Sequence, residues 1–406
     1  MVDFPKYESY KDSGVEWLGE IPSHWDIKKL KFMVRIKNGQ DYKAFEVQEP
    51  GYPVIGSGGR FAYASKYLFE GESVLLGRKG TIDKPLYVNG AFWTVDTMFY
   101  SKIYNNTFPK FFYYCASTIP FGYYSTNTAV PSMTQEALGN HTFTYPPIEE
   151  QKKIVEVLDR KTAEIDQAIA QKQRLIELLQ EQKAILINQA VTKGLDPNVP
   201  MCDRRIDWIG EIPTHWDIVR NRYLFKEQNE RSLDGLETHL CMSQKLGLVP
   251  SDELKEKTLQ SESYEGAKLC KKSDLVLNRL KAHLGVFSVA HCDGLVSPDY
   301  SVFRLHNQNM IPEYFENLFK TKQYISEFNK RVKGIVVGFY RLYTDAFNDI
   351  ACLCPPETEQ VEIRNWILML NQEVKIVENA INTEIKKLTE LKTVLISNAV
   401  TGKIKI

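Results

Sequence analysis

Trp17-Leu18-Gly19-Glu20-Ile21-Pro22-Ser23-His24-Trp25-Asp26-Ile27 decides the architecture, because it returns as Trp208-Ile209-Gly210-Glu211-Ile212-Pro213-Thr214-His215-Trp216-Asp217-Ile218. Nine of the eleven positions are identical, at an offset of 191 residues. Further along, Pro146-Pro147, Glu150-Gln151 and Ile154 match Pro355-Pro356, Glu359-Gln360 and Ile363, now at an offset of 209. Ala190-Val191-Thr192 matches Ala399-Val400-Thr401 at that same offset. An ordered series of this kind marks an internal repeat. Each repeat opens with WxGEIPxHW, continues as a globular body, stops at Pro-Pro and ends in a long helix. The second body is 18 residues the longer, and the two bodies differ greatly in sequence. One scaffold carries two unlike surfaces.

The helices are the clearest local prediction. Ile154, Leu158, Lys161, Ile165, Ala168, Lys172, Leu175 and Leu179 recur in steps of four and three. The equivalents are Ile363, Ile367, Leu370, Val374, Val377, Ile381, Glu384 and Leu388, with Ile385 able to shift the face at Glu384. This is an imperfect heptad stripe. Glu149 and Glu150 suit the positive helix end after Pro146-Pro147, and Gly194 and Gly402 mark the stops. Each helix runs about 40 residues, or roughly 60 Å. Packing the two antiparallel buries both stripes. A helical hairpin against the globular core, or a homodimeric coiled coil, would also bury them.

The bodies read as mixed α/β. Val74–Leu76, Phe92–Tyr100, Leu275–Leu277 and Tyr300–Leu305 have strand composition, and Asn89-Gly90 is a hairpin signal. A helix is expected over Pro109–Ser117 and another over Pro312–Asn329.

Composition sets bounds. The 406 residues hold 51 Lys+Arg and 51 Asp+Glu, which argues against a mainly electrostatic nucleic-acid binder. Positive charge is local: residues 25–147 have 13 Lys/Arg and 9 Asp/Glu, whereas residues 149–194 have 8 of each. Seven irregularly spaced cysteines do not form a disulfide framework. Cys352-Leu-Cys354 and His291-Cys292 lack the short C-x₂-C pairs of common zinc modules. MVDFPKYESYK has no signal-peptide core and no stretch approaches a membrane span, so a cytoplasmic protein with no membrane partner is expected.

The repeated WLGEIPSHW and WIGEIPTHW, PPIEEQKKI at 146–154 with PPETEQVEI at 355–363, and LQEQKAILINQAVT at 179–192 with LTELKTVLISNAVTG at 388–402 resemble the specificity subunit of type I restriction-modification enzymes. The resemblance covers nearly the whole chain. Thr358 and Val361 depart from its acidic and basic positions. It implies an α+β fold: two mixed α/β target-recognition domains, separated by two long helices packed as an antiparallel coiled coil with a pseudo-twofold internal repeat. The expected segments are 1–148 and 195–356 for the recognition domains and 149–194 and 357–406 for the helices. The implied function is recognition of an asymmetric bipartite site on double-stranded DNA. The implied partners are two adenine-N6 methyltransferase (M) subunits and two restriction-translocase (R) subunits. Those partners would use S-adenosylmethionine, ATP and Mg2+; no cofactor is expected on this chain.

Polar and basic residues beside glycine are candidate DNA contacts, since glycine allows close backbone approach. In the first body these are Ser57 and Arg60 of Gly56–Arg60, then Arg78, Lys79, Thr81 and Lys84. Aligning Val276–Lys281 with Val74–Lys79 adds Asn278, Arg279 and Lys281. Gly122-Tyr-Tyr124-Ser-Thr resembles Gly338-Phe-Tyr340-Arg341, which adds Tyr124, Ser125, Tyr340 and Arg341, with Lys333 upstream. A solvated turn explains the basic segments equally simply, and Tyr123 and Phe339 suit a core. Trp17, Trp25, Trp208 and Trp216 read as anchors, and His24 and His215 as structural. There is no GxxxxGK[ST] loop and no acidic or amide residue before Pro-Pro-aromatic, so no translocase or adenine methyltransferase centre is legible. No catalytic or metal-binding residue is assigned.

Overall fold

The computed structural model describes residues 4–124, 132–243, 246–254, 264–336 and 339–406. They form two compact units, Met1–Arg174 with Ile381–Ile406, and Leu175–Ala380.

The first unit opens with β1 (Tyr10–Asp12), β2 (Glu20–Pro22), β3 (Asp26–Lys29), β4 (Val34–Asn38), β5 (Glu46–Val47) and β6 (Tyr52–Gly56). It continues through β7 (Gly59–Ala64), β8 (Phe69–Glu70), β9 (Ser73–Gly77), β10 (Leu86–Val88), β11 (Ala91–Thr94) and β12 (Met98–Ile103). Helices α1 (Pro109–Ala116), α2 (Phe121–Tyr124) and α3 (Gln135–Asn140) lead to β13 (Thr142–Tyr145). Helix α4 (Ile148–Lys193) starts here and runs on into the second unit.

The second unit has β14 (Met201–Asp203), β15 (Glu211–Pro213), β16 (Asp217–Arg220), α5 (Asn221–Leu224), β17 (Phe225–Gln228), β18 (Leu240–Ser243) and β19 (Gly247–Pro250). There follow β20 (Lys268–Cys270), β21 (Leu275–Asn278), β22 (Phe287–Val289), β23 (Gly294–Val296) and β24 (Tyr300–Leu305). Helices α6 (Pro312–Phe319) and α7 (Lys322–Arg331), hairpin β25 (Lys333–Val336) and β26 (Phe339–Arg341), α8 (Thr344–Asn348) and β27 (Ala351–Cys354) complete the body. Helix α9 (Glu357–Val400) begins here and ends in the first unit.

The repeated sequence builds the same frame twice. In the opening segment, β1 pairs with β2 and β14 with β15, both antiparallel. The turns need Gly19 and Gly210, whose φ of +59° and +76° disfavour a side chain. Trp25 and Trp216 are both fully buried. In the first unit Ala399 and Val400 of α9 join the Trp25 core; in the second, Ala190 and Val191 of α4 join the Trp216 core. A Cβ on Gly402 would lie 2.4 Å from Pro22 Cδ and 2.9 Å from Trp25 Cζ3, so glycine lets the helix end close on the indole. Next, β3 pairs with β13 and β16 with β27, which brings each opening segment alongside its Pro-Pro.

A four-stranded antiparallel sheet repeats too, ordered β10-β9-β12-β4 in the first unit and β22-β21-β24-β17 in the second. Its central strands are buried throughout, from Ser73 to Gly77 and from Asp274 to Asn278. The rest differs. The first body adds a five-stranded sheet, β5-β7-β6-β11-β8, while the second has two-stranded pairs β18-β19, β20-β23 and β25-β26.

The long helices pair antiparallel inside each unit. In the first, Lys172 meets Glu384 and Asp166 meets Lys392 at 2.7 Å, so rising numbers on α4 face falling numbers on α9. In the second, Gln180 bonds Glu378, and Leu179 and Leu186 share a groove with Leu370 and Val374. The buried stripe differs from the predicted one in two places. Leu175 and Val377 are 48% and 44% exposed, and the neighbours Ile176 and Glu378 turn inward instead. A straight helix of 3.6 residues per turn drifts away from a 3.5-residue stripe, so the face moves by one position.

Three local expectations also change. Asn89-Gly90 does form a turn, with Gly90 at φ +111°, but β10 pairs with β9 whereas β11 pairs with β6 and β8. The run Phe92–Tyr100 is divided between β11 and β12. The helix expected over Pro312–Asn329 is broken at Lys320-Thr321 into α6 and α7. There the Thr321 hydroxyl bonds the Leu318 carbonyl at 2.8 Å, which closes one helix before the next begins.

Gln151 and Gln360 show why the Pro-Pro motif carries glutamine. Both are fully buried. Gln151 Nε2 donates to Pro146 O at 2.9 Å and its Oε1 accepts from Phe108 N–H, the N-cap of α1, at 2.8 Å. Gln360 Nε2 donates to Pro355 O at 2.9 Å and its Oε1 accepts from Ile311 N–H, the N-cap of α6, at 3.0 Å. Replacing either with Ala leaves two buried backbone groups unpaired. Denaturant unfolding is expected to show a loss of about 2–4 kcal/mol for each variant, confined by hydrogen exchange to the unit that holds it; exchange unchanged around α1 or α6 would contradict the role.

Candidate nucleic-acid interface

In the first unit three segments meet the link Val95–Thr97 between β11 and β12, and a fourth, residues 133–135, joins two of them. Arg78 and Lys79 donate their N–H groups to Thr97 O at 2.9 and 3.2 Å. The Arg78 guanidinium donates to Asp96 O at 3.2 Å and lies 6.0 Å from the Phe99 ring. A Cβ on Gly39 would stand 2.0 Å from Val95 O, and one on Gly56, at the tip of the β6–β7 hairpin, 3.9 Å from Val95 Cγ2. Met133 N–H donates to Arg78 O at 2.9 Å, and Gln135 Nε2 donates to Asn38 Oδ1 at 2.8 Å. Gly77 is required as well, since its Cβ would fall 2.4 Å from Thr81 O. Within the loop after β9, buried Ile82 is the anchor, and Lys79, Thr81 and Lys84 face solvent.

This cluster holds Ser57, half-buried in the hairpin turn, and exposed Arg60, whose guanidinium sits 5.1 Å from the Tyr63 ring. Arg78 is half-buried and braces the link. Exposed Asn38, Gln40 and Gln135 stand among the basic residues and were not singled out from sequence. Lys37-Asn-Gly-Gln40 was the available signal. Ser125 lies outside the described residues, as do the side chains of Tyr123 and Tyr124.

The second unit repeats the brace. Arg279 Nε donates to Asp299 O at 2.8 Å and Nη2 to Pro298 O at 3.0 Å, on the link before β24. Leu342 N–H donates to Arg279 O at 3.0 Å, as Met133 does to Arg78. The structure thus pairs Arg78 with Arg279, one residue away from the alignment that pairs it with Leu280. Arg341 Nη2 donates to Asp299 Oδ1 at 2.7 Å. Asn278 is 7% exposed and its Oδ1 accepts from Leu280 N–H. Asn278, Arg279 and Arg341 therefore hold the loops in place. Lys281, Lys333 and Tyr340 are exposed, with the Tyr340 ring edge-on to His283 at 5.6 Å. Gly338 and the Phe339 side chain lie outside the described residues.

Elsewhere, Trp17 is 46% exposed and stacks on His141, and Trp208 meets Tyr324 edge-on. Burial pushes the His141 imidazole down to about 4. His24 and His215 bond Glu150 and Glu359 at 2.9 and 2.8 Å, so both histidines tie the opening segment to a helix start. Burial raises the Cys270 and Cys354 thiols to about 12 and 11. Among the described residues no group of three His, Cys, Asp or Glu could hold a metal ion, and no helix is long and apolar enough to cross a membrane.

Residues 22–178 match the family described as the type I restriction modification DNA specificity domain. No curated protein sequence matches the chain. Among solved structures, a chain from a study of complex assembly and conformational transition of the type I R-M system is 14% identical, with a TM-score of 0.63 over 94% of this chain and 98% of that one. The HsdS subunit from Thermoanaerobacter tengcongensis is 14% identical (TM-score 0.48; 95% and 98% covered). The type I restriction-modification S subunit from M. genitalium is 11% identical (TM-score 0.38; 93% and 96% covered). The first of these establishes likeness of fold, and the matched specificity domain spans the first body and the start of its long helix.

Proposed function

We propose that this chain is the non-catalytic specificity subunit of a type I restriction-modification system and reads two unlike halves of one interrupted DNA site. The observation that carries this reading is a frame built twice around unlike bodies. Both units share the opening segment, the four-stranded sheet and the glutamine lock, yet they differ in the second sheet and its loops. A shared frame with a divergent second sheet and loops suits surfaces that meet different bases.

In the first unit, Lys79, Lys84 and Arg60 supply cations for phosphates, which fix register. Asn38, Gln40 and Gln135 supply amides, the group that pairs bidentately with adenine in the major groove. Ser57 and Thr81 add hydroxyls. In the second unit Lys281, Lys333 and Tyr340 take these roles. Arg78, Asn278, Arg279 and Arg341 shape the loops from behind. Helices α4 and α9 set the gap between the half-sites. On those helices Leu178, Ile185, Leu368, Met369 and Ile376 are 45–62% exposed, more apolar surface than a solvated helix needs. They offer a seat for an adenine-N6 methyltransferase subunit, with the restriction-translocase subunits joining the full complex. S-adenosylmethionine, ATP and Mg2+ belong to those partners.

Four outcomes follow. Exchanging residues 28–145 for another family member's body is expected to change one half-site and leave the other intact, as read by mapping methylated adenines after co-expression with the methyltransferase; a change in both halves would sink the modular reading. Removing one helical turn, about 5.4 Å, from both α4 and α9 is expected to alter the gap in the mapped site, and an unchanged gap would remove their role in spacing. The double substitution Lys79→Gln, Lys84→Gln is expected to weaken duplex binding and to lower the slope of log K against log salt by about two. Arg279→Gln should instead cost about 1–3 kcal/mol of stability in denaturant unfolding; the opposite pattern would exchange the two roles.

A further inference from the structure

The second unit contains a cleft of about 660 Å³ that the reading surface does not use. Lys271, Lys272, Arg304 and Arg364 line it, with the carboxylates of Asp274 and Glu313. Asp274 is 1% exposed and already satisfied: it accepts Arg304 Nε and Nη2, both at 2.7 Å, and the Lys271 N–H at 2.8 Å. Lys271 Nζ stands 4.0 Å from the exposed Glu230. Arg364 Nε is buried and has no hydrogen-bond partner among the described residues. A buried donor left unpaired is costly, so a cleft that keeps one favours an acceptor from outside.

The internal repeat provides a control. In the first unit, Glu70-Gly71-Glu72 precede Ser73 at the head of the buried central strand; in the second, Lys271-Lys272-Ser273 precede Asp274. Lys102 occupies the place of Arg304, and Val155, 3% exposed, the place of Arg364. With Lys110 at the place of Glu313, the same frame folds with two carboxylates and two cations here, whereas the second unit has two carboxylates and four cations. The cations are not a requirement of the scaffold. Glu313 also lines the cleft, and Glu230 and Asp293 stand beside it, Asp293 accepting the Lys272 N–H at 2.7 Å; Arg364 is the cation whose buried Nε none of these acids reaches.

We propose that this cleft binds phosphate, with Arg364 and Lys272 contacting its oxygens and Asp274 holding Arg304 in position beside them. Guanidinium offers paired donors matched to phosphate oxygens, and the ammonium groups add point charge. The phosphate comes either from the backbone of the bound duplex or from a free phosphate-bearing molecule.

The test uses the full-length chain and two variants, Arg364→Gln and Lys272→Gln. Lys272 is exposed on a turn, so K272Q folds even if R364Q does not. Inorganic pyrophosphate is titrated calorimetrically, and duplex binding is measured across salt concentrations. Pyrophosphate binding weakened on the order of tenfold in the variants, with the duplex salt slope unchanged, assigns the site to a free phosphate group. A slope smaller by about one assigns it to the DNA backbone, whether or not pyrophosphate binds. Pyrophosphate binding absent or equal in all three proteins, together with an unchanged slope, overturns the proposal. A wild-type chain that binds no duplex would defeat the DNA reading alone, and the pyrophosphate titration would still decide the cleft.

Discussion

Closure of a helix end over a buried tryptophan is the constraint on which each unit depends. An indole at full burial needs a lid. In both units the lid is the Ala-Val at the end of a long helix, Ala399-Val400 over Trp25 and Ala190-Val191 over Trp216. Small side chains and the glycine that follows allow the backbone to approach closely. Truncating such an indole removes packing worth about 3–5 kcal/mol. In the first unit the residues after α9 add polar ties: Lys403 Nζ donates to Leu18 O and Glu20 O, and Lys405 N–H donates to Pro5 O.

The glutamate beside each lock shows how one frame tolerates different surroundings. In the second unit Glu359 accepts both His215 and Trp216 Nε1, at 2.8 and 2.9 Å. In the first, Glu150 accepts His24 and the Tyr7 hydroxyl at 2.9 and 2.6 Å, and Trp25 Nε1 has no partner among the described residues. Burial, together with the Glu150 contact, drives the Tyr7 hydroxyl well above the usual tyrosine range, so it stays a donor. The same carboxylate position is thus satisfied by two different partner sets. Freedom to exchange partners at the edge, while the indole and glutamine stay fixed, lets the bodies diverge.

The two arginine braces extend this logic to the loops that we propose to read DNA. A loop that recognises bases must be held still, because disorder at the contact residues is an entropic cost of binding. Arg78 and Arg279 each reach backbone carbonyls on the link before the next sheet strand. They resemble contact residues in sequence because both sit among lysines and polar groups. Their geometry makes them supports, and it leaves their neighbours, Lys79 and Lys281, exposed.

Sequence alone determined the duplication, the long helices and their stops, and strands at Val74–Leu76 and Leu275–Leu277; it read all four tryptophans as anchors, whereas Trp25 and Trp216 are fully buried and Trp17 is 46% exposed. Each of these depends on periodicity or on exact recurrence, which one chain displays without reference to its fold. Tertiary structure decided the rest. It showed which helix end covers which tryptophan: Ala399-Val400 reaches Trp25 from far along the chain, whereas Ala190-Val191 covers the nearby Trp216. It moved the inward face from Leu175 to Ile176, because helical pitch and not heptad spacing sets that face. It separated Arg78 and Arg279 from the exposed lysines and brought Asn38 beside Gln135, because a guanidinium's partner is a backbone carbonyl about twenty residues away, and such a carbonyl has no signature in the sequence.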